Sequence, residues 1–171
     1  MTRQLNAIDR GVEYLAAAIF LLMVLIGLMQ VFHRFALNSS LSWSEEAQIF
    51  GHIWIVFLGI PIAYRRGGHL YIETFCDKFP PRLRAAFDLV VELMWGAFAV
   101  SLAVLGYMVA RVAAMQESPG LEIPMSYPYF SMVFGGIYLG LVALRRLHAW
   151  YGKHLGAAPA APAAPQGGVA P

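Results

Sequence analysis

The sequence predicts an all-α integral membrane protein with four transmembrane helices, short amphipathic helices at the membrane interface and both termini in the cytoplasm. Of its 171 residues, 59% are hydrophobic and only 13% are charged, which is unusual for a soluble domain. Four stretches are also free of charged side chains and long enough to cross a bilayer: residues 14–32, 47–64, 93–110 and 127–144. Backbone amides find no water in hydrocarbon, so each stretch is expected to be helical.

We predict one transmembrane domain, residues 1–155, and a disordered tail, residues 156–171. The spans are placed at about 13–33, 47–64, 90–110 and 127–147, from the uncharged stretches and their flanks. The tail consists mostly of Ala, Pro and Gly, which cannot bury a core. Spans, connections and tail leave almost no chain for a soluble catalytic domain, so we expect that the protein is not an enzyme.

The placement of basic residues predicts the orientation of the chain. If the amino terminus is cytoplasmic, ten of the twelve Lys and Arg residues fall on the cytoplasmic side. These ten are Arg3, Arg10, Arg65, Arg66, Lys78, Arg82, Arg84, Arg145, Arg146 and Lys153. Arg34 and Arg111 fall on the other side. This asymmetry follows the positive-inside rule and predicts that both termini are cytoplasmic.

The first apolar stretch is expected to remain in the protein as a membrane anchor. It runs directly into His33 and Arg34 and lacks the small-residue cleavage pattern of a signal peptide. The single cysteine, Cys76, falls on the predicted cytoplasmic side. One cysteine excludes an internal disulfide and a two-cysteine redox motif.

The second helix is predicted to begin at Ser42, because the segment from Ser42 to Glu45 matches a capping box. Trp43 is then expected at the level of the lipid headgroups, which an amphipathic ring prefers. Glu45 and Glu46 have two interpretations. They either stabilise the first turn of the helix through its dipole or pair with a basic group on another subunit.

The loop after the second span is first basic and then amphipathic. Arg65 and Arg66 are interpreted as topology determinants that attract anionic lipid headgroups, with an intersubunit contact as the alternative. His69, Glu73 and Asp77 then repeat every four residues beside an aromatic stripe, which predicts a short interfacial helix. The same acidic and imidazole groups resemble one face of a metal site, but a polar helix face explains them with fewer assumptions, so no metal is predicted.

Proline and glycine delimit the last two helices. Pro80 and Pro81 are expected to start the third helix, since proline is tolerated in a first turn. Residues 118–128 are rich in proline and predict an ordered, non-helical outer loop. In the fourth span Gly136 and Gly140 lie four residues apart, which would let another helix approach the backbone closely.

The central part of every predicted span lacks Asp, Glu, Lys and Arg. Ion-coupled carriers usually place an ionisable group or a broken helix near the membrane midplane, so this chain is not expected to be a transport pathway by itself. Two histidines leave an alternative open. His33 and His52 fall on the same side of the membrane and could ligate a haem iron, as in the membrane anchor of a respiratory electron-transfer complex.

Three segments resemble the small membrane subunit of tripartite ATP-independent periplasmic (TRAP) transporters. Residues 42–46 read SWSEE, residues 57–64 read FLGIPIAY, and residues 65–73 read RRGGHLYIE. The outer loop SPGLEIP, at residues 118–124, is also similar to that family. The four-span layout with both ends inside extends the resemblance over nearly the whole chain.

The resemblance implies a multi-pass protein of the bacterial inner membrane that takes part in secondary active transport. Its expected partners are a large multispanning permease subunit, an extracytoplasmic substrate-binding protein and membrane lipid, without nucleic acid or cofactor. In such systems the binding protein delivers an organic acid, and the large subunit imports it with an ion gradient, usually of sodium. The small subunit is expected to brace the large one as a non-catalytic scaffold.

The candidate contacts with partners follow from these interpretations. They comprise polar groups at the two membrane interfaces and small or aromatic residues within the spans. We expect contacts from Trp43, Glu45, Glu46, Arg65, Arg66, His69, Gly136 and Gly140, with Trp95 as a further packing residue.

Overall fold

The computed structural model describes residues 2–39, 41–66 and 80–154. Four helices occupy most of these ranges: α1 (Thr2–Ala36), α2 (Ser42–Arg65), α3 (Pro81–Ala113) and α4 (Ser126–His154). All four are long and apolar enough to cross a membrane. The described residues contain no strand, only an isolated bridge between Glu117 and Pro124. The predicted all-α class with four transmembrane helices is therefore confirmed.

Each predicted span lies within one of these helices, and every helix extends beyond its span. Two other predictions fall outside the described residues: the interfacial helix around His69 and the tail at 156–171. The orientation of the termini stays a prediction. We therefore name the two ends of the bundle by their contents: the basic end, where α1 begins and α4 ends, and the loop end, which carries the connection from α3 to α4.

The predicted start of α2 is correct, but the predicted capping box is wrong. Leu41 is the N-cap residue, and no side chain caps this end of the helix. The hydroxyl of Ser44 instead donates to the carbonyl oxygen of Leu41 at 2.7 Å. The Glu45 carboxylate accepts a hydrogen bond from Gln30 of α1. α3 begins as predicted, with Pro80 as N-cap and Pro81 as the first helical residue.

The helices pack in the order α1, α2, α4, α3, so that α4 lies between α2 and α3. The core lies where α2, α3 and α4 meet. It is formed by Tyr64, Ala99, Tyr138, Leu139, Val142 and Ala143. α1 packs mainly against α2, and no residue of its most apolar stretch is buried.

Two adjacent glycines let α4 approach a different neighbour on each side. A Cβ atom at Gly136 would lie 2.7 Å from the backbone nitrogen of Ala103 and 2.9 Å from the carbonyl oxygen of Ala99, both in α3. A Cβ atom at Gly135 would overlap the backbone of Phe57 in α2. Backbone atoms cannot move aside as a flexible side chain can, so both positions need glycine for this packing.

Large apolar side chains cover the outer surface of the bundle. Phe20 on α1 is 59% exposed, and Met94 on α3 is 67% exposed. Soluble monomers rarely expose such continuous apolar surfaces. In water, exposing these side chains would be unfavourable, whereas in a membrane they contact hydrocarbon or another membrane protein. The exposed apolar surface is therefore consistent with a multi-pass membrane protein.

Candidate functional site

Among the residues whose burial the structure describes, Asp9 is the most buried charged one at the basic end, with 5% of its surface exposed. Its carboxylate accepts hydrogen bonds from the hydroxyl of Tyr138 and from Nη1 of Arg145, both at 2.9 Å. Nη1 of Arg65 lies 3.5 Å from the same carboxylate. Because these donors belong to α4 and α2, one carboxylate joins α1 to both helices.

A second carboxylate of α1 reinforces this connection. Glu13 lies one helical turn after Asp9 and pairs with both Arg65 and Arg66. The Arg66 side chain is 65% exposed, so that pair is worth little by itself. Arg65 is the central group, because it contacts both acids of α1.

Glu92 of α3 organises the other side of the basic end. It accepts hydrogen bonds from the hydroxyl of Tyr64 and from Nε of Arg146, the latter at 2.8 Å. Nη1 of Arg146 also donates to the carbonyl oxygen of Tyr64 at 2.8 Å, and its guanidinium lies 4.7 Å from the centre of the Tyr64 ring. A planar guanidinium can make these contacts at once, so α2, α3 and α4 are joined around one arginine.

These contacts form one charged cluster, which we call the basic-end network. Its members are Asp9, Glu13, Tyr64, Arg65, Arg66, Glu92, Tyr138, Arg145 and Arg146. All four helices contribute to it. Three carboxylates face four guanidinium groups, so most of the charge is compensated within the chain. Such an arrangement fixes helices relative to one another.

At the loop end, Glu46 holds the connection between α3 and α4. One of its carboxylate oxygens accepts hydrogen bonds from the backbone amides of Gly120 and Leu121, both at 2.9 Å, and from the hydroxyl of Ser118. A Cβ atom at Gly120 would lie 2.9 Å from that oxygen, so glycine permits the close approach. Hydrogen bonds to a charged acceptor are stronger than neutral ones.

The loop that Glu46 holds is non-helical from Ser118 to Met125, but the prediction that it extends to Pro128 is wrong, because α4 begins at Ser126. The amide of Ser118 donates to the carbonyl oxygen of Ile123 at 2.9 Å, and the amide of Met125 donates to that of Gln116 at 2.8 Å. Glu122 has a positive φ of 53°, which is uncommon for a residue with a side chain. The loop is thus a compact, non-helical unit attached to the start of α2.

Glu45 belongs to a separate contact between α1 and α2. Nε2 of Gln30 lies 3.3 Å from the Glu45 carboxylate, and Nε2 of Gln48 donates to Oε1 of Gln30 at 2.9 Å. Both predicted acids therefore contact their own chain. Their contribution to an intersubunit contact stays a prediction.

The remaining predicted contacts have different surroundings. Trp43 is partly buried at the start of α2, and the ring of Trp95 lies 4.7 Å from that of Tyr64. Gly136 packs against the α3 backbone of this chain. A Cβ atom at Gly140 would meet only the Cβ of Ala99, at 3.8 Å. His69 lies outside the described residues.

Sequence reasoning missed the basic-end network because it interpreted the arginines as topology signals. A usable signal was present. Asp9 and Glu13 are four residues apart at one helix end, at the membrane level predicted for Arg65 and Arg145. Carboxylates close to the membrane need charged or hydrogen-bonding partners, and Arg65 and Arg145 were predicted at the same level.

The histidines do not form an evident haem site. Nδ1 of His33 lies 3.3 Å from the hydroxyl oxygen of Ser39, and His52 is exposed on α2. In the part of the chain that the structure describes, no group of three or more His, Cys, Asp or Glu side chains could hold a metal ion. These positions do not favour the electron-transfer alternative.

Comparison with known proteins finds relatives over most of the chain. Residues 23–151 match the family model for the DctQ component of tripartite ATP-independent periplasmic transporters. The chain is 30% identical to the sialic acid TRAP transporter small permease protein SiaQ of Vibrio cholerae, over 69% of this chain and 68% of that protein. It is 28% identical to the ectoine TRAP transporter small permease protein TeaB of Halomonas elongata, over 81% of this chain and 72% of that protein.

A third relative is much longer than this chain. The chain is 26% identical to the isethionate TRAP transporter permease protein DctMQ of Oleidesulfovibrio alaskensis, over 65% of this chain but only 17% of that protein. The family match covers most of the chain, including α2, α3 and the loop held by Glu46. This chain therefore belongs to the DctQ family of small TRAP transporter permease subunits.

Proposed function

We propose that this protein is a scaffold subunit that braces the large permease of a TRAP transporter and takes no direct part in moving the substrate. The observation that carries this proposal is the distribution of charge. The charged contacts lie at the edges of the apolar stretches, in the basic-end network and around Glu46, while the central parts of the spans contain no Asp, Glu, Lys or Arg. Such helices suit packing better than ion coordination.

Helix continuity supports the same role. Transporters often bind substrate or ions where a membrane helix is interrupted. α2 contains Pro61 but continues as a helix to Arg65, and Pro61 is buried. The described spans therefore lack the unwound backbone that would bind an ion in that way.

The length of the DctMQ relative supports association with a larger permease. A segment similar to this chain makes up a minor share of that protein. Joining two polypeptides preserves function most simply when the parts already work side by side. We therefore take the large multispanning subunit as the direct partner.

The transport reaction itself is assigned to the partners. In this proposal an extracytoplasmic binding protein delivers an organic acid, and the large subunit imports it with an ion gradient, most simply of sodium. The relatives belong to TRAP transporters that are named for sialic acid, ectoine and isethionate. This variety among similar subunits supports placing substrate choice outside the small subunit.

We further propose that the protein lies in the bacterial inner membrane with its basic end in the cytoplasm. The ten-to-two distribution of Lys and Arg supports this orientation. Arg66 is exposed at that end and is suited to contact anionic lipid or the large subunit. Trp43 and the loop held by Glu46 would then face the periplasm and the binding protein.

The proposal is tested by purifying the tagged protein from native membranes in mild detergent and identifying every co-purifying protein. A large multispanning permease is expected. The purified complex should transport in proteoliposomes when the binding protein is added, and the large subunit alone should transport poorly. Recovery of a dehydrogenase or an iron–sulfur subunit instead would contradict the proposal.

A further inference from the structure

One face of α2 remains exposed although α2 lies inside the row of helices. Ile49 is 57% exposed and Val56 is 44% exposed, and neighbouring positions on the same face are exposed or partly exposed. We call this face the α2 stripe. It consists of Glu45, Ile49, His52, Val56, Gly59 and Ala63.

His52 lies in the middle of this stripe and near the middle of α2, ten residues after Ser42 and thirteen before Arg65. At 1.5 Å per residue, the imidazole is about 15 Å from the start of the helix, close to the depth of the membrane midplane. Ionisable side chains within a span nearly always face protein or a water-filled cavity. An exposed His52 therefore indicates that protein covers this face in the assembled state.

The stripe runs along nearly the whole length of α2. Successive members are four, three, four, three and four residues apart, so they follow the helical period and form one continuous line that a helix packed lengthwise would cover. Gly59 lies seven residues after His52, and a Cβ atom there would meet no atom within 4 Å. The surface at Gly59 is therefore an open notch, two helical turns from the polar side chain of His52. Small residues such as glycine let the backbone of a second helix approach closely.

A second copy of this chain fits the stripe poorly. Two copies in one membrane share their orientation, so a parallel pair would bring Glu45 of each copy to the same level. Like charges placed together oppose association. Lipid fits poorly too, because acyl chains offer the imidazole no hydrogen bond.

We propose that one transmembrane helix of the large permease packs lengthwise along the α2 stripe and hydrogen-bonds His52 with a polar side chain. This inference rests on the proposed scaffold function and specifies the surface that performs it. The hydrogen bond at His52 would fix the position of the permease helix along α2, and the missing side chain at Gly59 would let the two helix backbones come close together. The exposed faces of α1 and α3 are left to lipid or weaker contacts.

Photo-crosslinking tests the location. A benzophenone amino acid is placed at Ile49 or Val56, and at Leu22 of α1, which is 56% exposed, as the control. The stripe positions are expected to crosslink to the large permease in native membranes, and much more strongly than Leu22. Crosslinking only to lipid, or to a second copy of this chain, would overturn the inference.

Substitutions test the chemistry, with co-purified permease as the readout. His52→Gln keeps a hydrogen-bonding group and should retain the complex, whereas His52→Leu should reduce the recovered permease about three- to tenfold. Gly59→Leu fills the notch and should prevent assembly. Gly11→Leu is the matched control, because a Cβ atom at Gly11 also meets no atom within 4 Å.

The two proposals fail in different ways. Normal recovery of the permease with His52→Leu and Gly59→Leu would reject the α2 stripe and leave the scaffold function standing. Failure of the wild-type protein to recover any large permease would reject both. The folding of each variant is checked by its elution as a single species and by its melting temperature in detergent.

Discussion

The carboxylate of Asp9 in α1 accepts a hydrogen bond from the hydroxyl of Tyr138 in α4 at 2.9 Å, across 129 residues of sequence. Arg145 follows Tyr138 by two helical turns and donates to the same carboxylate. α1 otherwise packs mainly against α2. This polar contact therefore joins the first helix to α4 in addition to α2.

Removing the Asp9 carboxylate should destabilise the protein strongly. Asp9→Ala leaves Arg145 and Arg65 without their shared acid, and breaking a buried ion pair on one side is costly. The arginine side chains are 25% and 29% exposed, so we expect a loss of about 2–3 kcal/mol, less than for a fully buried pair. Thermal unfolding in mild detergent measures this loss.

Tyr138→Phe provides the matched comparison for Asp9→Ala. It removes only the hydroxyl and should cost about 1 kcal/mol. The double variant should lose less than the sum of the two single losses, because both changes remove the same contact. Strict additivity would show that Asp9 and Tyr138 act independently.

Replacing Glu46 should loosen the loop at the opposite end of the bundle. Glu46→Ala removes the acceptor of the Gly120 and Leu121 amides, so both amides should exchange hydrogen several-fold faster. Hydrogen exchange followed by mass spectrometry reports this change directly. Glu45→Ala is the control, since Glu45 contacts Gln30 instead.

Assembly and uptake should also fall when both acids are replaced by alanine. The expected cause is a mobile loop and a loosened contact between α1 and α2. Unchanged loop exchange in Glu46→Ala would contradict the structural part of this prediction. Unchanged complex yield and uptake in the double variant would show that the acids serve only this chain's own fold.

Gly136 and Gly140 should respond differently to alanine. Gly136→Ala places a Cβ atom against the α3 backbone, at 2.7 Å from the nitrogen of Ala103, whereas Gly140→Ala makes an ordinary contact at 3.8 Å with Ala99. Overpacking of this kind costs about 1–3 kcal/mol. The melting temperature should fall for Gly136→Ala and stay nearly unchanged for Gly140→Ala. Equal melting temperatures for the two variants would show that α3 and α4 can move apart to accommodate the added methyl group.

The sequence predicted the four helices because hydrocarbon demands long uncharged segments, a local property that can be read along the chain. It placed Gly136 and Gly140 on one face but could not tell which of them meets a backbone, because that depends on the distance between helices. It placed His52 near one end of its span. The helix begins at Ser42, as predicted, five residues before that span, so along the whole helix His52 lies near the middle.

The site was harder to predict than the fold, since its contacts join distant residues. Glu46 and Gly120 are 74 positions apart, and Glu92 and Arg146 are 54 apart. The charge pattern indicates which groups need partners, but the helix order α1, α2, α4, α3 determines which partners they reach. That order depends on side-chain packing, and hydropathy does not encode it.

Arg146 should not be replaceable by lysine, although the charge would be kept. Its guanidinium binds the Glu92 carboxylate and the Tyr64 carbonyl oxygen, both at 2.8 Å, and lies over the Tyr64 ring. An ammonium group lacks the planar fork that makes these contacts together. Arg146→Lys should therefore lose about 1–2 kcal/mol of stability, the value of one or two hydrogen bonds.

Arg111→Lys is the control for that loss, because Arg111 is exposed at the loop end of the bundle and surface substitutions of this kind are usually neutral. Melting temperatures in the same detergent compare the two variants. A drop for Arg146→Lys alone would show that the shape of the guanidinium, and not only its charge, holds α2, α3 and α4 together. Equal melting temperatures would mean that the basic-end network acts through charge alone, and lysine would then serve as well as arginine.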